Sequence, residues 1–277
     1  MSDNIVDRLL EQLNAIDIFK DSSSSPDLSL SMTKIQNLLK RTEHILFPDI
    51  FPHPVIKCIP IRVCLNEFLL LLEKTLSNII SPNENGQNSK ELSIQISESL
   101  PDVKKLLIKD AFAIYEGDPA ATSVTEVMMA YPGFLAVMIY RIAHLFYINK
   151  IPYIPRMMTE HAHERTGIDI HPGATIGESF CIDHGTGIVI GETARIGNRV
   201  KIYQGVTIGA KSFESDRDGK IIRGKKRHPD IGDDCIIYAG ATILGGDTAI
   251  GNGSIIGGNV WLTHSVSEGG RVYYKEK

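Results

Sequence analysis

Three groups of polar residues in the second half of the chain are of types that do acid–base chemistry. Asp183-His184 places a carboxylate beside an imidazole, and Asp169 lies 15 positions before His184. Histidine is the usual general base near neutral pH, and a nearby carboxylate orients its ring and stabilises its protonated form. Arg227-His228 adds a cation and a second imidazole. The sequence therefore predicts general-base chemistry centred on His184.

These residues lie in a repeat with a period of six residues. Such a period is typical of a parallel β-helix, in which each short strand supplies one inward aliphatic side chain and small residues permit the turns. If three hexads form one triangular coil of about 18 residues, Asp169 lies near the rung beneath His184, suited to holding one ring nitrogen. A β-sandwich would need alternation with period two instead. The repeat positions are Ile170, Ile176, Ile182, Ile188, Ala194, Val200 and Val206, and then Ile231, Ile237 and Ile243.

After Ile243 the repeat can be followed in two ways. It continues either through Ala249 and Ile255 or, shifted by one position, through Ile250, Ile256 and Leu262. The shifted pattern keeps the Ile-Gly pairs that recur through this half, and it predicts one extra residue at a corner. We therefore expect the shifted set to face inward.

The glycine content divides the chain near residue 167. Only four of the 24 glycines occur up to that point. Upstream, leucine and isoleucine recur at helical spacing in segments 4–19, 31–46, 62–80 and 102–115, and further helices are predicted over 132–146 and 155–165. Polar stretches at 22–26 and 81–88 are predicted connectors. The fold class is therefore predicted as α+β, with a helical domain at 1–166, a β-helix at 167–265 and a tail at 266–277.

One excursion, at 211–227, interrupts the repeat and contains seven basic and three acidic residues. Long loops inside a compact repeat are uncommon unless they gate or bind something, and a basic excess suits a phosphorylated ligand. The alternative is a solvated, charged surface loop.

Composition excludes several classes of protein. The chain has 277 residues, 43% of them hydrophobic, which is typical of a globular protein. Its net charge of −4 gives no positive field for a nucleic-acid backbone. The N-terminal residues lack a basic start and an apolar stretch, so we expect neither export nor membrane insertion. Four cysteines without a C-x-x-C pair predict free thiols and a cytoplasmic location.

The remaining candidate residues have simpler explanations. His161, His163 and Glu164 could be metal ligands, but positions i and i+2 point to different faces of a helix, so no metal is predicted. His171 is expected to be a structural residue. Cys181 is expected to pack as a small apolar side chain.

The glycine-rich half resembles the serine acetyltransferases, a family of hexapeptide-repeat acyltransferases. The resemblance is carried by DIHPGATIG, DHGTGIVIGETARIG, QGVTIGA, RHPDIGDD and IYAGATILGG, and it extends upstream through GDPAATSVTEVMMAYPGFLAVMIYRIAHLFY. About 170 of the 277 residues are covered. The resemblance implies a left-handed β-helix and acetyl transfer from acetyl-CoA to L-serine, which gives O-acetylserine for cysteine synthesis.

The resemblance also implies roles for individual residues. His184 matches the general base, Asp169 the carboxylate that orients it, and Asp118 and Asp183 the acids of the amino-acid pocket. The Arg-His pair of the family is matched by Arg227, for the serine carboxylate, and by His228, for the substrate or the oxyanion. The remaining matches are Glu192, for the substrate site, and Gly209, Ala210, Ala239 and Gly257, along the wall expected to bind acetyl-CoA.

Direct transfer through a ternary complex is predicted, because no cysteine is placed as an acyl carrier beside His184. The resemblance further implies homotrimers, or dimers of trimers, with active sites between neighbouring β-helices, so that His228 acts with a neighbour's His184. Many family members insert a terminal isoleucine into cysteine synthase. This chain ends at Lys277, so that complex is not predicted.

Three alternative functions remain open at this point. A related acyltransferase would use the same base on a sugar or another hydroxy amino acid. A protein resembling the γ-carbonic anhydrases would bind zinc between subunits, which requires three well-placed ligands. A scaffold without activity would leave the base, its acid and the Arg-His pair unexplained.

Overall fold

The computed structural model describes residues 30–52, 60–80, 88–213, 215–222 and 224–274. Among these residues, six α-helices precede fourteen short β-strands. The predicted helix over 4–19, the connector at 22–26 and almost all of the connector at 81–88 lie outside the described residues. The helices are α1 (Met32–Leu46), α2 (Ile61–Ser77), α3 (Ser89–Gly117), α4 (Val124–Ala130), α5 (Pro132–Ile148) and α6 (Ile154–Thr166).

Side chains define several of the helix ends. Ser31, Asn88 and Ser123 precede α1, α3 and α4, and each accepts a hydrogen bond from a backbone N–H of the first turn. Helix α6 ends at Gly167, whose φ of +68° is in the left-handed region that suits glycine. The chain then turns directly into the first strand.

Two helices differ from the prediction. Helix α3 begins at Ser89 rather than at residue 102 and continues through Pro101. Leu92, Ile96 and Leu100 lie on one buried face of its first half, and this packing outweighs the backbone hydrogen bond that proline removes. Helix α4 was not predicted.

The second half is a parallel β-helix of five coils, which confirms the predicted fold class. Strands β1, β2 and β3 begin the first, second and third sheets, and each later coil adds one parallel strand to each sheet. The fifth coil is the exception, because it adds only an isolated bridge to the second sheet. The inward aliphatic side chains form one continuous buried column. The first sheet contains β1 (Asp169–Ile170), β4 (Val189–Ile190), β7 (Thr207–Gly209), β10 (Thr242–Leu244) and β13 (Trp261–Leu262). The second contains β2 (Thr175–Ile176), β5 (Arg195–Ile196), β8 (Asp230–Ile231) and β11 (Ala249–Ile250). The third contains β3 (Cys181–Asp183), β6 (Lys201–Tyr203), β9 (Ile236–Ile237), β12 (Ile255–Ile256) and β14 (Arg271–Val272).

Two of the three edges of this triangular prism carry the predicted site residues. We call the edge where third-sheet strands lead to the first sheet the histidine edge; it consists of residues 184–188, 204–206, 238–241 and 257–260. We call the edge where first-sheet strands lead to the second sheet the arginine edge; it consists of residues 171–174, 191–194, 210–229 and 245–248.

Up to Leu262, the six-residue step is broken at three corners. Asp169 pairs with Val189, 20 positions later, whereas Val189 pairs with Thr207, 18 positions later. The two extra residues lie between β3 and β4, at the corner that carries His184. One extra residue separates Ile243 from Ile250, and Ile250, Ile256 and Leu262 are buried, which confirms the predicted shift. The third break is the excursion.

The helices are joined to the first coil through buried polar contacts. Arg141 on α5 binds Asp110 on α3 with Nε–Oδ2 and Nη2–Oδ1 distances of 2.5 and 2.9 Å. The same guanidinium donates to the backbone oxygens of Ile176 and Gly177. Gly133 lies so close to β3 that a Cβ there would be 2.7 Å from the Ile182 oxygen. Helices α3 and α5 therefore support the strand that precedes His184.

The last described strand lies beyond the predicted end of the β-helix. Strand β14 pairs with β12, so the coil continues past residue 265 into the segment predicted as a tail. No single described helix is both long and apolar enough to cross a membrane. By length and composition alone, α4 and α5 together pass that test as a pair bent by 75°.

Candidate active site

His184 lies on the enlarged corner between β3 and β4. Its φ of +59° is in the left-handed region, which is uncommon for a residue other than glycine. The side chain is 74% exposed, and its Nε2 lies 3.7 Å from Oδ1 of Asp183. The corner thus presents an imidazole to solvent beside a carboxylate.

Asp118, which follows α3, brings a second carboxylate to this imidazole. Its Oδ2 accepts a hydrogen bond of 2.7 Å from the Tyr131 hydroxyl, and its Oδ1 accepts one of 2.9 Å from the Ala120 N–H. These bonds lower the pKa of Asp118, and the nearby charges of Lys201 and His184 add to the effect. The same contact raises the pKa of Tyr131 to about 12, so the phenol stays protonated. The structure therefore brings together Asp118, Asp183 and His184.

Asp169 lies on β1, and its predicted contact with His184 is not among the hydrogen bonds of the described residues. Its Oδ1 lies 3.7 Å from Nη1 of Arg156 on α6. The neighbouring Ile168 approaches the histidine corner, because a Cβ on Gly185 would be 2.5 Å from the Ile168 Cδ1 atom. Asp169 is thus next to this corner, and its role as the orienting acid stays a prediction.

Arg227 and His228 lie on the arginine edge, at the end of the excursion. Arg227 Nη2 is 2.6 Å from Glu192 Oε2, and the Tyr147 hydroxyl donates to the other oxygen of Glu192 at 3.0 Å. Both bonds favour the charged carboxylate and, against the effect of burial, hold the pKa of Glu192 below its usual value. Glu192 therefore fixes the guanidinium, a structural role that the family resemblance did not specify.

His228 is buried against the preceding coil. A Cβ on Gly191 would lie 2.0 Å from its Nε2, so only glycine allows the ring this position. Its Nδ1 accepts a hydrogen bond of 3.0 Å from the Thr193 N–H, which leaves Nε2 as the protonated nitrogen of the neutral ring. Burial first, and then the Arg227 charge, lower the pKa of His228 to about 4. The ring is therefore neutral at neutral pH.

This lowered pKa predicts a stability effect in mild acid. As pH falls below about 6.5 the unfolded chain binds a proton at His228 before the folded chain does, so the free energy of unfolding falls until pH reaches about 4. In the His228→Asn variant the amide oxygen replaces Nδ1 as acceptor and does not titrate. Urea unfolding from pH 7 to pH 4, at fixed protein concentration, should show a shallower loss in this variant. Equal slopes for the two proteins would contradict the prediction.

One chain does not bring all the predicted site residues together. His184, Asp183 and Asp118 are grouped around the histidine edge, whereas Arg227 and His228 lie on the arginine edge. The expected acetyl-CoA residues divide in the same way: Gly209 and Ala210 belong to the end of β7 and the arginine edge, and Ala239 and Gly257 belong to the histidine edge.

Two of these glycines have a packing reason within the chain. A Cβ on Gly209 would be 2.9 Å from a Leu244 methyl group, and one on Gly257 would be 2.9 Å from the Tyr273 ring. Beside Ala210, the excursion borders an open pocket of about 530 Å³, whose lining includes Phe213, Asp247 and basic side chains such as Lys211 and Lys225. Positive charge around a pocket of this kind suits phosphate groups.

The other histidines do not form a site in the described part of the chain. His171 Nδ1 accepts from the Gly173 N–H within its own turn, and its ring packs edge-on against Tyr147. His161 and His163 contact different partners, Gln36 and Glu160. No group of three or more His, Cys, Asp or Glu side chains could hold a metal ion among the residues described.

Comparison with known proteins identifies relatives of this chain. A plasmid-encoded serine acetyltransferase of Synechococcus elongatus is 55% identical over 184 residues, which are 66% of this chain but only 57% of that protein. The serine acetyltransferase of Bacillus subtilis is 43% identical over 164 residues, which are 59% of this chain and 71% of that protein. No protein-family model matches the chain.

The fold is also similar to solved structures. Serine acetyltransferase 1 of Entamoeba histolytica, solved in complex with L-cysteine, superposes with a TM-score of 0.74 and 40% identity, covering 86% of each chain. This similarity includes the helical half as well as the β-helix.

Proposed function

Because the chain belongs to the serine acetyltransferase family, we propose that it transfers the acetyl group of acetyl-CoA to the hydroxyl of L-serine. The products are O-acetyl-L-serine and CoA. The observation that carries this proposal is the exposed imidazole of His184, which projects from an enlarged corner near the carboxylates of Asp183 and Asp118.

The proposed transfer is direct. His184 accepts the hydroxyl proton while the serine oxygen attacks the thioester carbon, and the tetrahedral intermediate then expels CoA as a thiolate that takes up a proton. The carbon–sulfur bond breaks as the carbonyl double bond re-forms, and the protonated His184 gives its proton to the departing thiolate. An acyl-cysteine route has little support, because burial raises the pKa of the Cys181 thiol to about 12.

The charged groups match the three parts of L-serine. Its ammonium suits Asp118 and Asp183, its carboxylate suits Arg227, and its hydroxyl suits His184. The neutral His228 ring would present Nε2–H to the developing oxyanion. The amoebic relative was solved with L-cysteine, which has the same ammonium and carboxylate, and this supports an amino-acid pocket in the fold.

A complete site requires two copies of the chain in this proposal. The groups for the ammonium and the hydroxyl lie around one edge of the prism and the groups for the carboxylate lie on another, so side-by-side packing of β-helices would join them. In a closed ring of three copies, the histidine edge of each copy would meet the arginine edge of the next, so that no such edge is left without a partner. Acetyl-CoA would then lie between copies, with its phosphates near the basic pocket of the excursion.

Mixing of two inactive variants should test this assembly. His184→Ala removes the base from one edge and Arg227→Ala removes the cation from the other, so each variant alone should be nearly inactive. In randomly mixed trimers about one quarter of the sites combine the two intact edges, and about that share of wild-type activity should return. Activity no higher than the sum of the separate variants would overturn the shared site.

The reaction itself is tested by thiol release from acetyl-CoA. Purified protein is assayed with L-serine, L-homoserine, a sugar acceptor and no acceptor, and release should depend on L-serine. Release with another acceptor alone would keep the acyltransferase chemistry and overturn the substrate. No release with any acceptor would overturn the activity.

A further inference from the structure

Lys201, on β6, bridges the two elements that carry the acidic residues of the site. Its Nζ lies 2.8 Å from Oδ2 of Asp183 and donates a hydrogen bond of 2.7 Å to the backbone oxygen of Gly117. The side chain is only 18% exposed. One ammonium therefore ties the end of β3 to the end of α3.

The contact with Gly117 is favourable for two reasons. Gly117 is the last residue of α3, and the final carbonyls of a helix lack intrahelical partners and carry partial negative charge. Asp118 is the next residue. Holding Gly117 therefore fixes the start of the segment that carries the second carboxylate.

Aromatic rings complete the surroundings of the ammonium. Lys201 Nζ lies 4.7 Å from the centroid of the Tyr203 ring, within the range of a cation–π contact. Tyr203 stacks on Tyr238 of the next coil, with centroids 5.1 Å apart and planes inclined by 14°. The stack limits the positions available to the lysine. Burial lowers the pKa of Lys201, but its bonds to Asp183 and Tyr203 outweigh that effect and keep the ammonium charged.

We propose that Lys201 is a positioning residue of the amino-acid pocket, which sets the separation of Asp118 and Asp183 and offsets part of their negative charge. This inference rests on the proposed function. A pocket with two carboxylates and no cation would attract any amine and would hold its acids apart by repulsion. With Lys201 between them, Asp183 keeps one oxygen for His184 or the substrate, and the pair binds a single ammonium.

The inference predicts separate effects on position and on charge. Lys201→Met should raise KM for L-serine about 10-fold or more, the value of one charge-assisted hydrogen bond, while KM for acetyl-CoA stays within about twofold. Lys201→Arg keeps the positive charge, but a planar guanidinium does not fit between Gly117 and Asp183 as the ammonium does. We expect it to raise KM for L-serine without moving the pH profile.

The charge effect should appear at His184. Among the described residues, Asp183 and Asp118 interact with this imidazole, while Lys201 pairs with Asp183 and the Tyr131 hydroxyl donates to Asp118. Asp169, which pairs with Arg156, lies next to the same corner. Removal of the Lys201 ammonium, which pairs with Asp183, favours the protonated imidazole. In Lys201→Met, the acid limb of kcat/KM should therefore move to higher pH.

Histidine-selective NMR of the full-length protein keeps this test independent of activity. The pH midpoint of the His184 ring resonance should lie higher in Lys201→Met than in the wild type and in Lys201→Arg. The matched control is Lys109→Met, since Lys109 on α3 pairs with Glu178 at the surface. It should leave KM and the midpoint unchanged.

Each outcome decides the inference. A wild type without L-serine-dependent release would overturn the proposed function, while a shifted midpoint in Lys201→Met would still support the charge effect of Lys201. An active wild type together with an unchanged KM and midpoint in a folded Lys201→Met protein would overturn the inference alone. If Lys201→Met does not fold, a Lys201→Arg protein with wild-type KM for L-serine would overturn the positioning role.

Discussion

His184→Ala is expected to lower kcat for L-serine-dependent thiol release by about two to four orders of magnitude. The serine hydroxyl is a weak acid, and the transition state requires a group that accepts its proton as the new bond forms. The described structure offers one exposed imidazole at the histidine edge beside Asp118 and Asp183. KM for acetyl-CoA should change little, because in the proposed reaction His184 acts on the acceptor hydroxyl and not on the donor.

The backbone at His184 calls for a second variant. Its φ of +59° costs alanine some strain, whereas asparagine tolerates this region well and still cannot act as a base. His184→Asn should therefore be as inactive as His184→Ala while it unfolds at the wild-type temperature. His163→Ala, an exposed histidine on α6, is the matched control and should keep full activity. Wild-type kcat in a folded His184→Asn protein would exclude His184 as the general base.

The period of six predicted the β-helix because each coil repeats the same inward aliphatic position. The period alone does not fix the register, since aliphatic residues also occur two positions apart, as at Ile188 and Ile190. Both Ile188 and Ile190 are buried, so the predicted repeat could continue from Ile182 to Ile188. The two extra residues at the histidine corner were therefore not detected. A single extra residue before Ile250 was predictable, because the Ile-Gly pairs at Ile250 and Ile256 follow the shifted positions.

The site residues that are adjacent in the sequence could be predicted. Residues that meet only because of the length of a coil could not. Asp183-His184 and Arg227-His228 are adjacent in sequence and stand out as pairs. Lys201 was not predicted, because its contact with Asp183 requires knowing that the first coil is 20 residues long. Only the fold reveals that Gly117, 84 positions from Lys201, accepts its hydrogen bond.

The second large effect concerns the stability of the support beneath the site. Arg141 and Asp110 are 4% and 0% exposed, and together they satisfy the backbone oxygens of Ile176 and Gly177 and the backbone N–H of Phe180. Replacing Arg141 with methionine leaves a buried carboxylate without its counter-ion. Loss of one partner from a buried pair costs about 3–5 kcal/mol of stability. We expect a loss of that size in urea unfolding, measured at fixed protein concentration.

Two further variants separate the buried charge from simple loss of an arginine. In the double variant Asp110→Asn with Arg141→Met no charge remains, and the asparagine oxygen can still accept from Phe180, so stability should be partly regained. Arg199→Met is the control, since Arg199 binds both oxygens of Asp234 at 2.6 and 2.7 Å on the exposed surface. Solvent screening makes such exposed pairs weak, so this variant should leave the unfolding midpoint unchanged. An equal loss in Arg141→Met and Arg199→Met would show that burial of the pair is not what stabilises the junction. A larger loss in Arg141→Met, accompanied by a raised KM for L-serine, would show that the junction of α3 and α5 with the first coil also holds Asp118 and His184 in position.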